Sequence, residues 1–153
     1  MNKIKNTDSG KLSLKSLQET NSDMLLLSLE KIIDSCEYSL CIDNNHKHFK
    51  DPNSKKYNTE LIKLFKFLSQ KTWNEIYSLR RKQEYGHEHL PIQDIKIQNI
   101  QSFFLKICNR KIDDKCDIFR FGGQKFRACG YRQGNVFYLV CIDYDFTLYN
   151  HGN

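Results

Sequence analysis

An α+β fold, with two or three helices packed on a mostly antiparallel sheet, is what this sequence predicts, and three observations carry it. Between Asp117 and Tyr149 lie three β-rich runs, DIFRF, QKFRACGYR and NVFYLVCID, divided by Gly122-Gly123 and Gln133-Gly134. Aromatic and β-branched residues bounded by such glycine breaks read as strands joined by short hairpin turns. Upstream, Leu61, Leu64, Phe65 and Leu68 recur at helical spacing, and Thr72 to Glu75 has the T-x-x-E form of a capping box that opens a second helix. Finally, Val136 to Ile142 is apolar at both parities, which suits an interior strand covered on both faces.

Taken in order, residues 1–21 are Lys, Asn, Ser and Thr with isolated Leu, and are expected to form a flexible basic tail. A single α+β domain is expected over residues 22–153, because a chain of 153 residues that is 39% apolar buries one core. Ser22-Asp23 offers N-caps for a helix through MLLLSLEKIID, with Leu25, Leu29, Ile32 and Ile33 on one stripe. Residues 37–43, EYSLCID, read as a first strand, and the polar HKHFKDPNSKKYN that follows reads as a loop broken by Pro52. A helix is expected over residues 59–70, then the capped helix from Thr72 to near Gly86, then a loop through EYGHEHLP. Ile95, Ile97 and Ile100 fit a short strand, whereas residues 101–108 fit one or two helical turns.

The totals narrow the function classes. Aromatics are 12% of the chain, including ten Phe and eight Tyr, a composition that argues for a folded domain. A net charge of +6 favours anionic partners. The six cysteines show no C-x-x-C spacing, and the N-terminal residues lack the apolar core of a secretory signal. No apolar run is long enough to span a bilayer, so a cytoplasmic protein with reduced thiols and no membrane partner is expected.

Several constellations bear on chemistry. His46-x-His48 and His87-x-His89 carry ligand-type side chains, but residues two apart share a face only on a strand, and both stretches read as loops. The expectation is therefore no metal and no cofactor. Arg80 and Arg81 before His87 resemble the Arg-to-His spacing of HEPN ribonucleases, with Gly86 inside the spacing and a β-rich final third where that fold is all-helical. The basic, aromatic meander is the stronger feature. Arg120, Lys125, Arg127, Tyr131 and Arg132 are the candidate nucleic-acid contacts, with Lys125 and Arg127 at one parity and so expected on one face. Tyr149 and His151 lie at the strand ends, where they could stack a base and hold a phosphate.

The order of strand, helix pair and antiparallel strands with a basic second strand resembles the RelE/ParE-like toxin superfamily, through FRACGYRQGNVFYLVCIDYD and Tyr149-Asn150-His151. A closer likeness is to a set of small uncharacterised bacterial and phage proteins that share an N-x-H loop, a T-W-x-E-I helix start, N-V-F-Y and D-x-x-H-x-L-Y. This chain keeps Asn44-Asn45-His46, Thr72-Trp73-Asn74-Glu75-Ile76, Arg127, Gly130-Tyr131, Asn135-Val136-Phe137-Tyr138, Asp143 and Leu148-Tyr149. Cys129 and Phe146 stand where that pattern has histidines. The RelE resemblance implies a metal-independent endoribonuclease or RNA-binding protein of a toxin–antitoxin or phage-defence system. Its catalytic candidates are His46, Arg127, Tyr149 and His151, and its partners would be RNA, including ribosome-bound mRNA, and an acidic antitoxin. The alternative is a non-catalytic protein whose basic sheet face engages an acidic protein partner.

Overall fold

A computed structural model describes residues 23–34, 37–42 and 44–152. The basic N-terminal stretch, Ser22, Cys36 and Asp43 lie outside the described residues, and with them the expected tail. In chain order the elements are β1 (Leu26–Ser28), α1 (Ser54–Leu68), α2 (Trp73–Tyr77), β2 (His87–Pro91), a 3-10 turn (Ile92–Asp94), α3 (Gln98–Lys106), β3 (Lys115–Phe121), β4 (Phe126–Gln133) and β5 (Val136–Asp143). The strands form one mixed sheet in the order β1-β5-β4-β3-β2, antiparallel except for the β1–β5 pair. Three helices on a five-stranded sheet make an α+β fold, as expected.

The sheet separates two cores. On one side α1 and α2 lay Leu61, Leu64, Leu68, Trp73 and Ile76 against Phe119, Phe121, Ala128, Phe137 and Leu139. On the other, α3 and the 3-10 turn pack Ile92, Ile100 and Phe104 against Ile118, Cys129, Val140 and Cys141, with Leu148 and Tyr149 from the C-terminal segment. Strand β5 lies between β1 and β4 and its side chains enter both cores, which explains its two-sided apolar pattern. Trp73 is fully buried and its indole N–H donates to the Asn135 carbonyl at 2.9 Å.

A register shift between Cys129 and Gly130 marks an irregularity where β4 pairs with β5. Gly130 is required there: a Cβ would meet the Tyr138 carbonyl oxygen and the Phe137 ring, Cε2 of which would be only 2.7 Å away. The capping box is present in full, with Thr72 Oγ1 accepting from Glu75 N and Glu75 accepting from Thr72 N.

Local signals fail where tertiary pairing decides. The helix expected through MLLLSLEKIID is instead the short strand β1: Leu26 N donates to Asn135 O, and Ile33 N to Val140 O, so this segment completes the exposed side of β5. Residues 37–42 form turns and not a strand, although Ile142 N donates to Tyr38 O. Helix α1 starts at Ser54, five residues before the expected start, and α2 stops at Tyr77, far short of Gly86. The EYGHEHLP stretch, expected as a loop, contains β2, and the mixed region that follows resolves as the helix α3. The HEPN reading fails with these assignments: Arg80 and Arg81 lie in turns and His87 on a strand of a five-stranded sheet. The five described cysteines, Cys41, Cys108, Cys116, Cys129 and Cys141, are free and buried. None of the described helices is long and apolar enough to cross a membrane.

Candidate functional site

Register sets the first half of the site. Antiparallel pairing places Arg120 of β3 directly opposite Arg127 of β4, and Arg127 opposite Asp143 of β5. Two cations facing each other across a ladder repel, so neighbours must compensate. Glu88, on the adjacent edge strand β2, supplies an anion: its Oε1 lies 3.6 Å from Arg120 Nη2, and its other oxygen pairs with Arg81. Alternation along β3 and β4 puts Ile118, Arg120, Arg127 and Cys129 on the face that α3 covers.

The C-terminal segment supplies the other half. Asp143 is fully buried and its carboxylate accepts hydrogen bonds from the backbone N–H groups of Asp145, Thr147 and Leu148. It thereby holds the turn that folds the chain back over the sheet. That turn brings Tyr149 to Glu88, with the phenol donating to Oε1 at 2.6 Å, and sets the His151 ring 4.3 Å from both Tyr149 and Phe146. Phe146 lies over the Arg127 guanidinium at 4.4 Å. Its backbone is in the left-handed region at φ +63, a costly conformation for a bulky residue.

This cluster is incompletely satisfied. Arg127 is 1% exposed, and its Nη1 donates to the carbonyls of Gln124 and Phe126. Yet Arg127 Nε, Arg120 Nε and both ring nitrogens of His151 are buried without a hydrogen-bond partner among the described residues. Most buried polar groups are bonded, so several orphans in one cluster call for an explanation. The electrostatics follow from burial. Burial, aided by the charge of Arg120, makes Arg127 less basic than usual. Burial and the charge of Arg127 hold His151 below the ordinary imidazole value, so the ring is neutral at pH 7. Burial and the bond to Glu88 push the Tyr149 phenol up, so it stays protonated.

Three of the four expected catalytic residues, Arg127, Tyr149 and His151, therefore meet. His46 does not join them. It lies across the sheet beside His48 and Tyr144, with Nε2 3.2 Å from the Ser39 carbonyl. The five expected nucleic-acid contacts are dispersed, because Lys125 falls in the hairpin turn outside β4 and so shares no strand face with Arg127. Tyr131 is buried, stacked on Tyr138 at 5.2 Å with Arg110 over its ring. Arg132 projects to the opposite face, 4.5 Å over the Trp73 ring and bonded to the Tyr77 hydroxyl. An open basic sheet face is thus replaced by a closed, buried Arg120–Arg127 pair. Glu88 joins the site without having been expected there, its local signal being the H-E-H-L alternation of a strand, while Asp143 and Phe146 are visible in sequence only as positions of the D-x-x-H-x-L-Y pattern.

A second cluster sits on the opposite face of the sheet, the one that α1 and α2 cover. His87 and His89 are on β2, with Asp117 opposite His89 in register. The expectation that this His-x-His pair lies in a loop is thereby corrected, and both rings share a face. Asp117 Oδ1 is 2.8 Å from His87 Nε2 and 3.1 Å from His89 Nε2, while Oδ2 accepts from Arg132 N at 3.1 Å. Burial raises the Asp117 carboxyl, but the bonds from the two histidines outweigh it and leave the group below the ordinary range.

No family profile, curated protein or solved structure matches this chain.

Proposed function

We propose that this chain is a RelE-like, cytoplasmic RNA-binding protein of a toxin–antitoxin or phage-defence system, and that it cleaves RNA without metal at the Arg120–Arg127–Tyr149–His151 cluster. The observation that carries the reading is the set of buried nitrogens without partners on Arg120, Arg127 and His151, next to a protonated Tyr149. Guanidinium groups present donors that match phosphate oxygens, and a buried neutral imidazole can take a proton. In the reaction His151 accepts the proton of a ribose 2′-hydroxyl, and the freed oxygen forms a bond to phosphorus. The P–O5′ bond breaks, leaving a 2′,3′-cyclic phosphate. The 5′ oxygen takes a proton from water, and His151 returns its proton to the resulting hydroxide. Arg120 and Arg127 offset the charge that builds on the phosphoryl oxygens, and Tyr149 donates to one of them. Phe146 must swing off Arg127 to admit the phosphate, and its strained backbone suits such a movable cover. Exposed Arg81, paired with Glu88, and exposed Lys125, in the turn before Arg127, would steer the polyanion.

The test is cleavage of single-stranded RNA in EDTA. The wild type should cut, His151→Ala should lose roughly 100-fold or more in rate with binding retained, and Lys125→Ala should weaken binding and its salt dependence. His46→Ala should have no effect on cleavage. If the wild type neither cuts nor binds RNA at low salt, the reading is wrong. One observation favours the second reading, an acidic protein partner such as an antitoxin: Phe146 covers Arg127, so the cations open to solvent are those at the rim. Binding of an acidic protein without any RNA affinity would select it.

A further inference from the structure

Among the histidines, one group is arranged as metal ligands are. We propose that His87, His89 and Asp117 bind a borderline transition-metal dication of the zinc class, with a fourth position open to water beside His89. One ring nitrogen from each of His87 and His89 and a carboxylate oxygen of Asp117 all lie within 4.8 Å of one another. A tetrahedral zinc ion with ligand distances of about 2.0–2.2 Å holds its ligand atoms roughly 3.3–3.6 Å apart. The His–Asp separations of 2.8 and 3.1 Å are those of hydrogen bonds, so an ion replacing the shared protons needs the side chains to part by only a few tenths of an ångström. Two imidazoles and one carboxylate select zinc-like ions over calcium or magnesium, which prefer oxygen ligands.

The surroundings hold this geometry. Adjacent strands fix all three Cα positions, and the bond from Arg132 N to Oδ2 turns Oδ1 towards the rings. Tyr77 packs its ring 5.5 and 5.6 Å from the two imidazoles. The Arg132 guanidinium is occupied elsewhere: it stacks over Trp73 and Tyr77, donates to the Gly134 carbonyl and the Tyr77 hydroxyl, and pairs with Asp23 at 3.9 Å. Its side chain leaves the Asp117 charge free for an ion. The His89 side chain is 43% exposed and gives a path from solvent, whereas His87 and Asp117 are buried. The other histidine pair lacks this organisation. His46 Nδ1 already accepts from His48 N, and the Asp145 oxygen facing His48 also pairs with Lys47 at 2.8 Å.

The experiment is calorimetric titration of zinc sulfate into tag-free, chelator-cleared full-length protein. One ion per chain should bind, and the melting temperature should rise with zinc. His89→Gln, at an exposed position, should keep the fold by circular dichroism and weaken zinc binding at least tenfold, as should Asp117→Asn. His46→Gln with His48→Gln should leave zinc affinity unchanged, whatever it does to stability. Absence of saturable binding, or full binding by folded His89→Gln protein, overturns the proposal. RNA cleavage in EDTA is read separately, so either result leaves the other assignment standing or falling on its own.

Discussion

The two faces of strand β2 hold opposite kinds of polar cluster. On the side of α1 and α2, Asp117 bonds both His87 and His89 and also accepts from Arg132 N. On the other side, Arg120, Arg127 and His151 keep buried nitrogens without partners; Glu88 is already shared among Tyr149, Arg81 and Arg120, and Asp143, opposite Arg127, is taken up by backbone N–H groups. A closed set of hydrogen bonds stabilises the folded state in the absence of ligand, whereas an open set costs folding energy that a ligand can return. The contrast separates a cluster whose hydrogen bonds are closed within the fold from one that leaves buried donors open.

The sharpest way to break that contrast is to remove the hub of the closed side. Asp117→Ala leaves buried His87 and the Arg132 amide without their acceptor and should cost about 3 kcal/mol in denaturant unfolding. A loss below about 1 kcal/mol would mean that the bonds contribute little. On the open side, Arg127→Met substitutes an apolar chain of similar length for a buried, partly unsatisfied charge. Stability should stay within about 1 kcal/mol of the wild type or rise, because apolar replacement of buried ions is often neutral. Phosphate should raise the melting temperature of the wild type and leave that of the variant unmoved.

The mildest effect is the dependence on pH. The folded-state values of His151 and His46 are both depressed, chiefly by burial. A depressed imidazole takes up its proton more readily when unfolded, so its contribution is fully present above the unfolded value of about 6.5 and is lost as pH falls towards the folded one. Unfolding midpoints should therefore decline below about pH 6.5, and His151→Gln should flatten part of that decline. An unchanged slope in the variant would show that His151 is solvated.

Strands β3 to β5 were legible because each joins an aromatic or β-branched pattern to a glycine turn, and Trp73 because its capping box is local. Strand β1 was not: Leu25, Leu29, Ile32 and Ile33 also satisfy a helical stripe, and the hydrogen bonds to Asn135 and Val140 that decide the matter lie over 100 residues away. Strand β2 is polar, and its signal was the alternation of His87 and His89 against Glu88 and Leu90, easily taken for a loop. Arg127, Tyr149 and His151 could be named, because cations and aromatics at strand ends are visible in sequence. Their burial could not, since it arises from the turn held by Asp143. Equal parity misled for Lys125, because parity has meaning only inside a strand.

The alternation of β2 makes one five-residue edge serve two chemistries at once. Its odd positions, His87 and His89, belong to the carboxylate cluster, and the residue between them, Glu88, belongs to the arginine–tyrosine cluster. A slip of one residue against β3 would trade them: imidazoles would face the arginines, and a carboxylate would face Asp117. Any change of one residue in the turn from Ser78 to Gly86 is therefore pressed on both sides of the sheet together, while a change of two preserves the assignment. The spacing of that turn acts as a frame in the sense that a genetic code has one, and neither cluster can drift in sequence position without carrying the other with it.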